Sequence, residues 1–173
     1  MNNNVTNPRK PFLINVGFLV SASIGYYRDF DFFVPRITDE DEVTLREVEG
    51  KTKITRTPQG LLVQGDFTGQ TQLECVRCLS EYTQELKWEF TELYAFTPDN
   101  MTESGLLVPE DAQLDLQPLV REFAILEFPI KPLCRQDCQG LCQECGQNLN
   151  EKDCGHTPEP DSPFSALKQI LDE

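Results

Sequence analysis

Polar and apolar residues alternate along four long stretches of this chain, and a period of two is the pattern of strands with one buried face. Residues 27–37 form the first stretch. There Tyr27, Phe33 and neighbouring aromatics interleave with Arg28, Asp29 and Asp31, and Pro35 predicts an edge strand or a strand end. Residues 43–57 and 61–73 follow, with Pro58-Gln59-Gly60 as the turn between them. Val63, Phe67, Thr71 and Leu73 share one side of the second of these with Gly65 and Gly69, and glycines there predict bulges or a tightly curved sheet. In the fourth stretch, 82–96, Tyr82, Leu86, Trp88 and Phe90 fall on one side. Glu85, Lys87 and Glu89 fall on the other, and Gln84 breaks the pattern.

Shorter elements complete the picture. Phe12-Leu13-Ile14-Asn15-Val16 suits an N-terminal strand docking into a sheet, and Leu114-Asp115-Leu116 a second short strand. Pro118 opens a helix through Leu119, Val120, Phe123, Ala124 and Leu126 or Glu127, which Pro129 stops. Residues 97–109 read as a loop, and 134–156 have almost no periodicity. Ser162-Pro163 caps a short amphipathic helix carrying Phe164, Leu167, Ile170 and Leu171. The expected fold class is α+β: a predominantly antiparallel sheet, curled toward a barrel, with one main helix, a Cys-rich zinc-knuckle-like tail and a short C-terminal helix. The expected organisation is a flexible N-terminus (1–11), a sheet-plus-helix core (12–133), a Cys-rich tail (134–157), and a linker with the terminal helix (158–173).

Composition sharpens this reading. At 173 residues and 39% hydrophobic content the chain can build its own core, so its seven cysteines beside one histidine need a chemical reason. The formal charge is −14, and residues 71–130 alone hold 12 acidic against 3 basic side chains. That field has the wrong sign for a protein that tracks a phosphate backbone along its whole surface. It suits either plain solubility or an acidic face for a basic partner. No run of about 18 apolar residues exists to span a bilayer. Arg9-Lys10 before the apolar run 12–24 imitates a signal peptide, but Pro11, Asn15 and Gly17 interrupt it. An odd cysteine count with short spacings fits reduced thiols, and the expectation is a cytoplasmic protein.

The cysteines are spaced Cys75-x2-Cys78, then Cys134-x3-Cys138-x3-Cys142-x2-Cys145-x8-Cys154-x-His156. Cys142, Cys145, Cys154 and His156 make a four-ligand set in which Gly146 supplies the permissive turn dihedrals, and thiolate plus imidazole donors favour structural zinc. A second site is available if Cys75 and Cys78 are joined by Cys134 and Cys138, or by Cys142 and Cys145. The spacing leaves that pairing open. A thioredoxin-like pair needs a helix N-terminus that Cys75 and Cys78 lack, and the spacing does not match common ferredoxin runs. Cys75 and Cys78 could also be small buried hydrophobes. Glu144 and Glu151 are the available bases for a zinc-dependent hydrolase, but no nucleophile elbow or phosphate-cradling loop accompanies them.

Three stretches together resemble the YceD family, the large ribosomal RNA subunit accumulation proteins of bacteria and plastids. Cys75-Val76-Arg77-Cys78-Leu79 resembles its Cys-x-Arg-Cys-Leu turn, and 114–129 resembles its Asp-Leu, helix, leucine-rich segment ending in proline. The run 138–150 resembles its Cys-x-Gly-Leu-Cys-x-x-Cys-Gly-x-Asn-Leu-Asn tail. The family commonly closes with Cys-x-Cys where this chain has Cys154-Gly155-His156. The resemblance implies a role in accumulation of large-subunit rRNA, through its processing or subunit assembly, with no enzymatic activity attached, in the cytoplasm or a plant's plastid stroma. Two routes reconcile that role with the charge. The acidic middle could bind a basic ribosomal protein or pre-ribosomal particle. Alternatively Arg77, Lys51, Lys53 and Arg56, with Arg9, Lys10, Arg28 and the rings of Tyr26 and Tyr27, could contact rRNA directly. Lys51 and Lys53 are expected on one strand face, with Arg56 opposite. No small-molecule substrate is expected.

Overall fold

The computed structural model describes residues 10–38 and 43–156. Four long strands form one antiparallel sheet: β2 (Tyr27–Thr38), β3 (Thr44–Arg56), β4 (Gly60–Glu74) and β5 (Glu81–Ala95), in spatial order β2-β3-β4-β5. Consecutive strands are neighbours, as expected for short connections. A separate two-stranded sheet pairs β1 (Leu13–Asn15) with β6 (Gln113–Asp115), Ile14 opposite Leu114. Helices are few: α1 (Gly17–Val20) and α2 (Gln117–Leu126), with Pro118 in the first turn of α2. The predicted terminal helix and the run 1–9 lie outside the described residues.

The expectation of a barrel is corrected. β2 and β5 are the two edges of an open sheet, and no closing β2–β5 pairing exists among the described residues. The bulge that the glycines of β4 predicted is present opposite Gly69. The β3–β4 register slips between Arg46 and Glu49, so that Glu47 and Val48 stand opposite a single position of β4, a β-bulge with Glu47 at φ 49°. On the other side of β3 the ladder to β2 skips Pro35, which has no N–H to donate and is tolerated because β2 is an edge strand.

Alternation decides which side of each strand is buried. Val63, Gly65, Phe67, Gly69 and Thr71 of β4 and Leu86, Trp88 and Phe90 of β5 are all buried, as the period of two requires. Phe67 is the hub: its ring centroid lies 5.9–6.1 Å from those of Phe12, Phe32, Trp88 and Phe90. Aromatic pairs at such separations contribute roughly 0.5–1.5 kcal/mol each beyond burial of their area. Gly65 makes this possible, since a Cβ there would sit 2.5 Å from Cζ of Phe90. α2 covers the aromatic cluster with Leu119, Val120 and Ala124, and Phe123 lies 5.3 Å from Phe90. Leu126, expected to continue that apolar stripe, is instead 70% exposed at the helix end.

The chain divides into two compact units. One comprises Met1–Leu73 and Thr83–Ile130; the other comprises Glu74–Tyr82 and Lys131–Glu173. The cysteine-bearing unit is therefore discontinuous, whereas a division at 133/134 places 74–82 in the core segment. The physical reason is sulfur chemistry: Cys75, Cys78 and Cys138 form their own buried cluster with Tyr82, Leu133, Cys134 and Leu141 against it.

Candidate metal centres

Two turns of the cysteine-bearing unit share one backbone design. In the first, the Leu79 amide donates to the Cys75 carbonyl at 2.8 Å and the Cys75 amide to the Ser80 carbonyl at 3.0 Å. In the second, the Gly146 amide donates to the Cys142 carbonyl at 2.9 Å and the Cys142 amide to the Gln147 carbonyl at 2.8 Å. Each turn puts two cysteines three residues apart on the same side, with the following residue in the left-handed region: Leu79 at φ 57° and Gly146 at φ 73°. Glycine adopts that region without penalty; leucine does not.

Each turn meets further ligands. The donor atoms of Cys75, Cys78, Cys134 and Cys138 all lie within 4.8 Å of one another, and so do those of Cys142, Cys145, Cys154 and His156. Sγ of Cys75 is 3.8 Å from that of Cys138, Sγ of Cys78 is 3.7 Å from that of Cys134, and Sγ of Cys142 is 3.8 Å from Nδ1 of His156. A disulfide would need about 2.05 Å. The edge of a tetrahedron with metal–sulfur bonds of about 2.3 Å is about 3.8 Å, so the spacing is that of ligands around one ion. The first set is mostly buried, while Cys145 and His156 of the second are exposed.

Electrostatics point the same way. Cys75 is lowered to about 6 by the Cys134 amide, aided by those of Cys78 and Arg77 against the upward push of burial. Cys142 is likewise lowered to about 6, chiefly by the amides of Cys145 and Glu144. Ser80 lowers Cys78 through its hydroxyl and its amide. Cys134 moves the other way, pushed up to about 12 by burial and by the sulfurs of Cys78, Cys138 and Cys75. Cys154 is also raised: the His156 amide pulls it down, but the Cys142 sulfur and burial outweigh it. Each set thus joins a thiol whose pKa is lowered to one whose pKa is raised by burial and neighbouring sulfurs. A divalent cation removes that conflict by stabilising every thiolate at once. Either set could hold a metal ion.

The structure thus favours one of the two pairings left open by spacing, gathering Cys75 and Cys78 with Cys134 and Cys138. Of the candidate nucleic-acid contacts, Lys51 and Lys53 share one face of β3 as expected, whereas Arg56 and Arg77 are tied to backbone carbonyls. Lys51 pairs with Asp31 at 3.5 Å, and Lys53 sits 4.3 Å from the centroid of Tyr27 on the same side of β3. Arg56 is half-buried, 4.1 Å from the Phe96 centroid and bonded to the carbonyls of Val20 and Thr57. Arg77 donates to the Cys138 carbonyl at 2.9 Å. Of the two candidate bases, Glu151 accepts from the Asn148 amide at 3.3 Å and Glu144 is an exposed turn residue. Sequence reasoning missed Ser80 and Asn150. The Asn150 amide reaches the Cys138 sulfur at 3.4 Å, and the only signal for it was its place in the Asn-Leu-Asn string.

One unit is an open antiparallel sheet, and the other carries two four-donor sets that could hold metal ions, which defines the class of protein. Within that class the chain belongs to the YceD family: the family described as large ribosomal RNA subunit accumulation protein YceD matches residues 63–171. An uncharacterised protein of Mycobacterium tuberculosis is 34% identical over 125 residues, covering 69% of this chain and 59% of its own length. This chain therefore spans between about half and three-fifths of the length of the mycobacterial relatives it matches. The chloroplastic large ribosomal RNA subunit accumulation protein YCED homolog 1 of Arabidopsis thaliana is 33% identical over 67 residues, 38% of this chain and 21% of the relative. The Bacillus subtilis protein YlbN is 27% identical over 116 residues, 63% of this chain and 66% of the relative. No solved structure gives a significant match. Among the described residues no helix is long and apolar enough to cross a membrane.

Proposed function

We propose that this protein promotes accumulation of large-subunit rRNA as a non-enzymatic ribosome-biogenesis factor, holding a basic large-subunit ribosomal protein on an acidic sheet face. The observation that carries the reading is the exposed side of the four-stranded sheet. There seven carboxylates, Asp29, Asp31, Glu47, Glu49, Asp66, Glu85 and Glu89, outnumber five cations, Arg36, Arg46, Lys51, Lys53 and Lys87. Phe33 stands in the same surface, 65% exposed, in a groove of about 530 Å³ lined also by Glu47, Glu49, Glu85 and Lys87. An exposed aromatic ring among carboxylates suits an arginine or lysine side chain, which stacks on the ring while its charge is balanced. Complementary charge of this kind mainly speeds encounter and excludes wrong partners. The plant relatives' names support the rRNA role.

In this reading both cysteine sets hold structural zinc. Four thiolates, or three with an imidazole, suit that ion, and zinc modules gain roughly 10–16 kcal/mol on binding, enough to order a segment with little apolar core. The protein works in the cytoplasm, or in the stroma if its source is a plant. The alternative route is direct rRNA contact through Lys51 and Lys53.

A tagged pull-down, split into nuclease-treated and untreated halves, tests the proposal. The expected result is a basic large-subunit protein that stays bound after nuclease, is lost in Glu49→Lys with Glu85→Lys, and survives Lys51→Glu with Lys53→Glu. Loss of all partners with the RNA, and sensitivity to the lysine reversals instead, would replace the escort reading with the direct one.

A further inference from the structure

The string Asn148-Leu149-Asn150 supplies no ligand to either cysteine set, yet both of its asparagine side chains are engaged. Oδ1 of Asn150 accepts from the Gln139 amide at 2.8 Å and from Nη2 of Arg135 at 2.7 Å. Those two donors fix the orientation of the side-chain amide, because only the oxygen can face them. Its Nδ2 then points the other way, to Oδ1 of Asn148 at 2.8 Å and to Sγ of Cys138 at 3.4 Å. Asn148 in turn accepts from the Asn150 backbone amide at 3.1 Å. The Leu149 amide donates to the Gly140 carbonyl at 2.9 Å, and the Leu141 amide to the Arg77 carbonyl at 3.1 Å.

The chain position of Asn150 matters as much as its contacts. It lies between Cys145 and Cys154, on the loop that the second cysteine set closes, but its amide reaches a sulfur of the first set. Four thiolates around one divalent cation leave a surplus of negative charge, and an N–H aimed at a sulfur offsets part of it. The donor is in place only when the loop is.

We propose that Asn150 couples the two metal centres: an ion held by Cys142, Cys145, Cys154 and His156 fixes the loop that presents the Asn150 amide to Cys138, and so tightens metal binding by Cys75, Cys78, Cys134 and Cys138. This rests on the reading that both sets hold metal. The coupling is reciprocal, since each ion raises the affinity for the other by the same factor. Asn150 is a positioning residue, acting on the ion only through the Cys138 sulfur.

Titration of the metal-free full chain with cobalt(II) under reducing, oxygen-free conditions tests this. The thiolate-to-cobalt and d–d absorption bands distinguish a four-sulfur sphere from a three-sulfur, one-nitrogen sphere. Asn150→Asp keeps the oxygen that Gln139 and Arg135 need but sets a carboxylate against the sulfur. It is expected to weaken the four-sulfur centre about 10- to 100-fold. Asn150→Ser, which retains a hydroxyl donor, should fall between. Disabling the second centre with Cys154→Ser and His156→Ala should weaken the first by a similar factor, and adding Asn150→Asp to that variant should change it no further. A four-sulfur affinity indifferent to Asn150→Asp, or effects that simply add, would overturn the coupling while leaving the centres standing. Absence of any cobalt–thiolate band in the unaltered chain would overturn the metal reading itself. Trp88 emission reports on the sheet in every variant, and where Asn150→Asp loses it, Asn150→Ala takes its place.

Discussion

Leu79 and Gly146 hold the same place in two turns of one design, and only glycine is at ease there. Leu79 is 56% exposed, so its side chain gains little from packing, while its backbone at φ 57° carries a cost of about 1–2 kcal/mol. A Cβ on Gly146 would meet nothing within 4 Å, so Gly146→Ala isolates the same backbone cost. Gly146→Ala is therefore expected to weaken metal retention by its set about 5- to 30-fold, and Leu79→Gly to strengthen retention by the other set a few-fold. Competition against a chromophoric chelator measures both. Equal retention in all three proteins would show that the left-handed turn carries no strain. The same two residues mark how far the sequence could be read. Both turns are visible, one because glycine announces it and the other because Cys75 and Cys78 fall between two alternating stretches, but nothing in the sequence marks Leu79 as left-handed. Asn150 escaped for a related reason: an asparagine in an aperiodic tail reads as one more turn residue, and its contact with Cys138 spans a loop that spacing does not define.

The four long strands were legible because each is buried on one side only, so alternation survives along its whole length. What alternation could not convey was closure. Of the two glycines that predicted a bulge or curvature, Gly65 serves to admit the Phe90 ring, whereas Gly69 stands opposite the Glu47 bulge of β3. Near its far end β5 carries a titratable group whose environment matters to the strand as a whole. Burial, then the charges of Asp115 and Glu92, push the Tyr94 hydroxyl up to about 12 from an ordinary value of 10.0. The folded state therefore holds that proton more tightly than the unfolded state. The resulting contribution to stability is complete below about pH 10 and is lost as the pH rises through about 12. Denaturant midpoints measured across that range should fall for the unaltered chain and fall less steeply for Tyr94→Phe. Parallel curves would mean that Tyr94 ionises in the folded sheet as freely as in the unfolded chain.

At the scale of the molecule, the two units are stabilised by different means. The sheet unit has an aromatic core around Phe67, whereas the cysteine-bearing unit packs Tyr82, Leu133 and Leu141 around sulfur. Removing metal with a strong chelator under reducing conditions is expected to release amide-exchange protection over residues 131–156 while Trp88 emission and the sheet's circular dichroism hold. Simultaneous loss of both would show that the units share one cooperative transition. The discontinuity of the second unit was the part least open to sequence reading, because its ligand pairs are far apart: 56 residues separate Cys78 from Cys134, and 63 separate Cys75 from Cys138. That separation also sets a timetable. A chain made from its N-terminus at roughly 5–20 residues per second exposes Cys75 and Cys78 for about 3–13 seconds before Cys138 is added. Through that interval β5 and α2 are being synthesised, and the early thiols have half a coordination sphere. A stop codon between Cys78 and Cys134 makes that half-built state permanent, so a later truncation is felt at a turn made long before it.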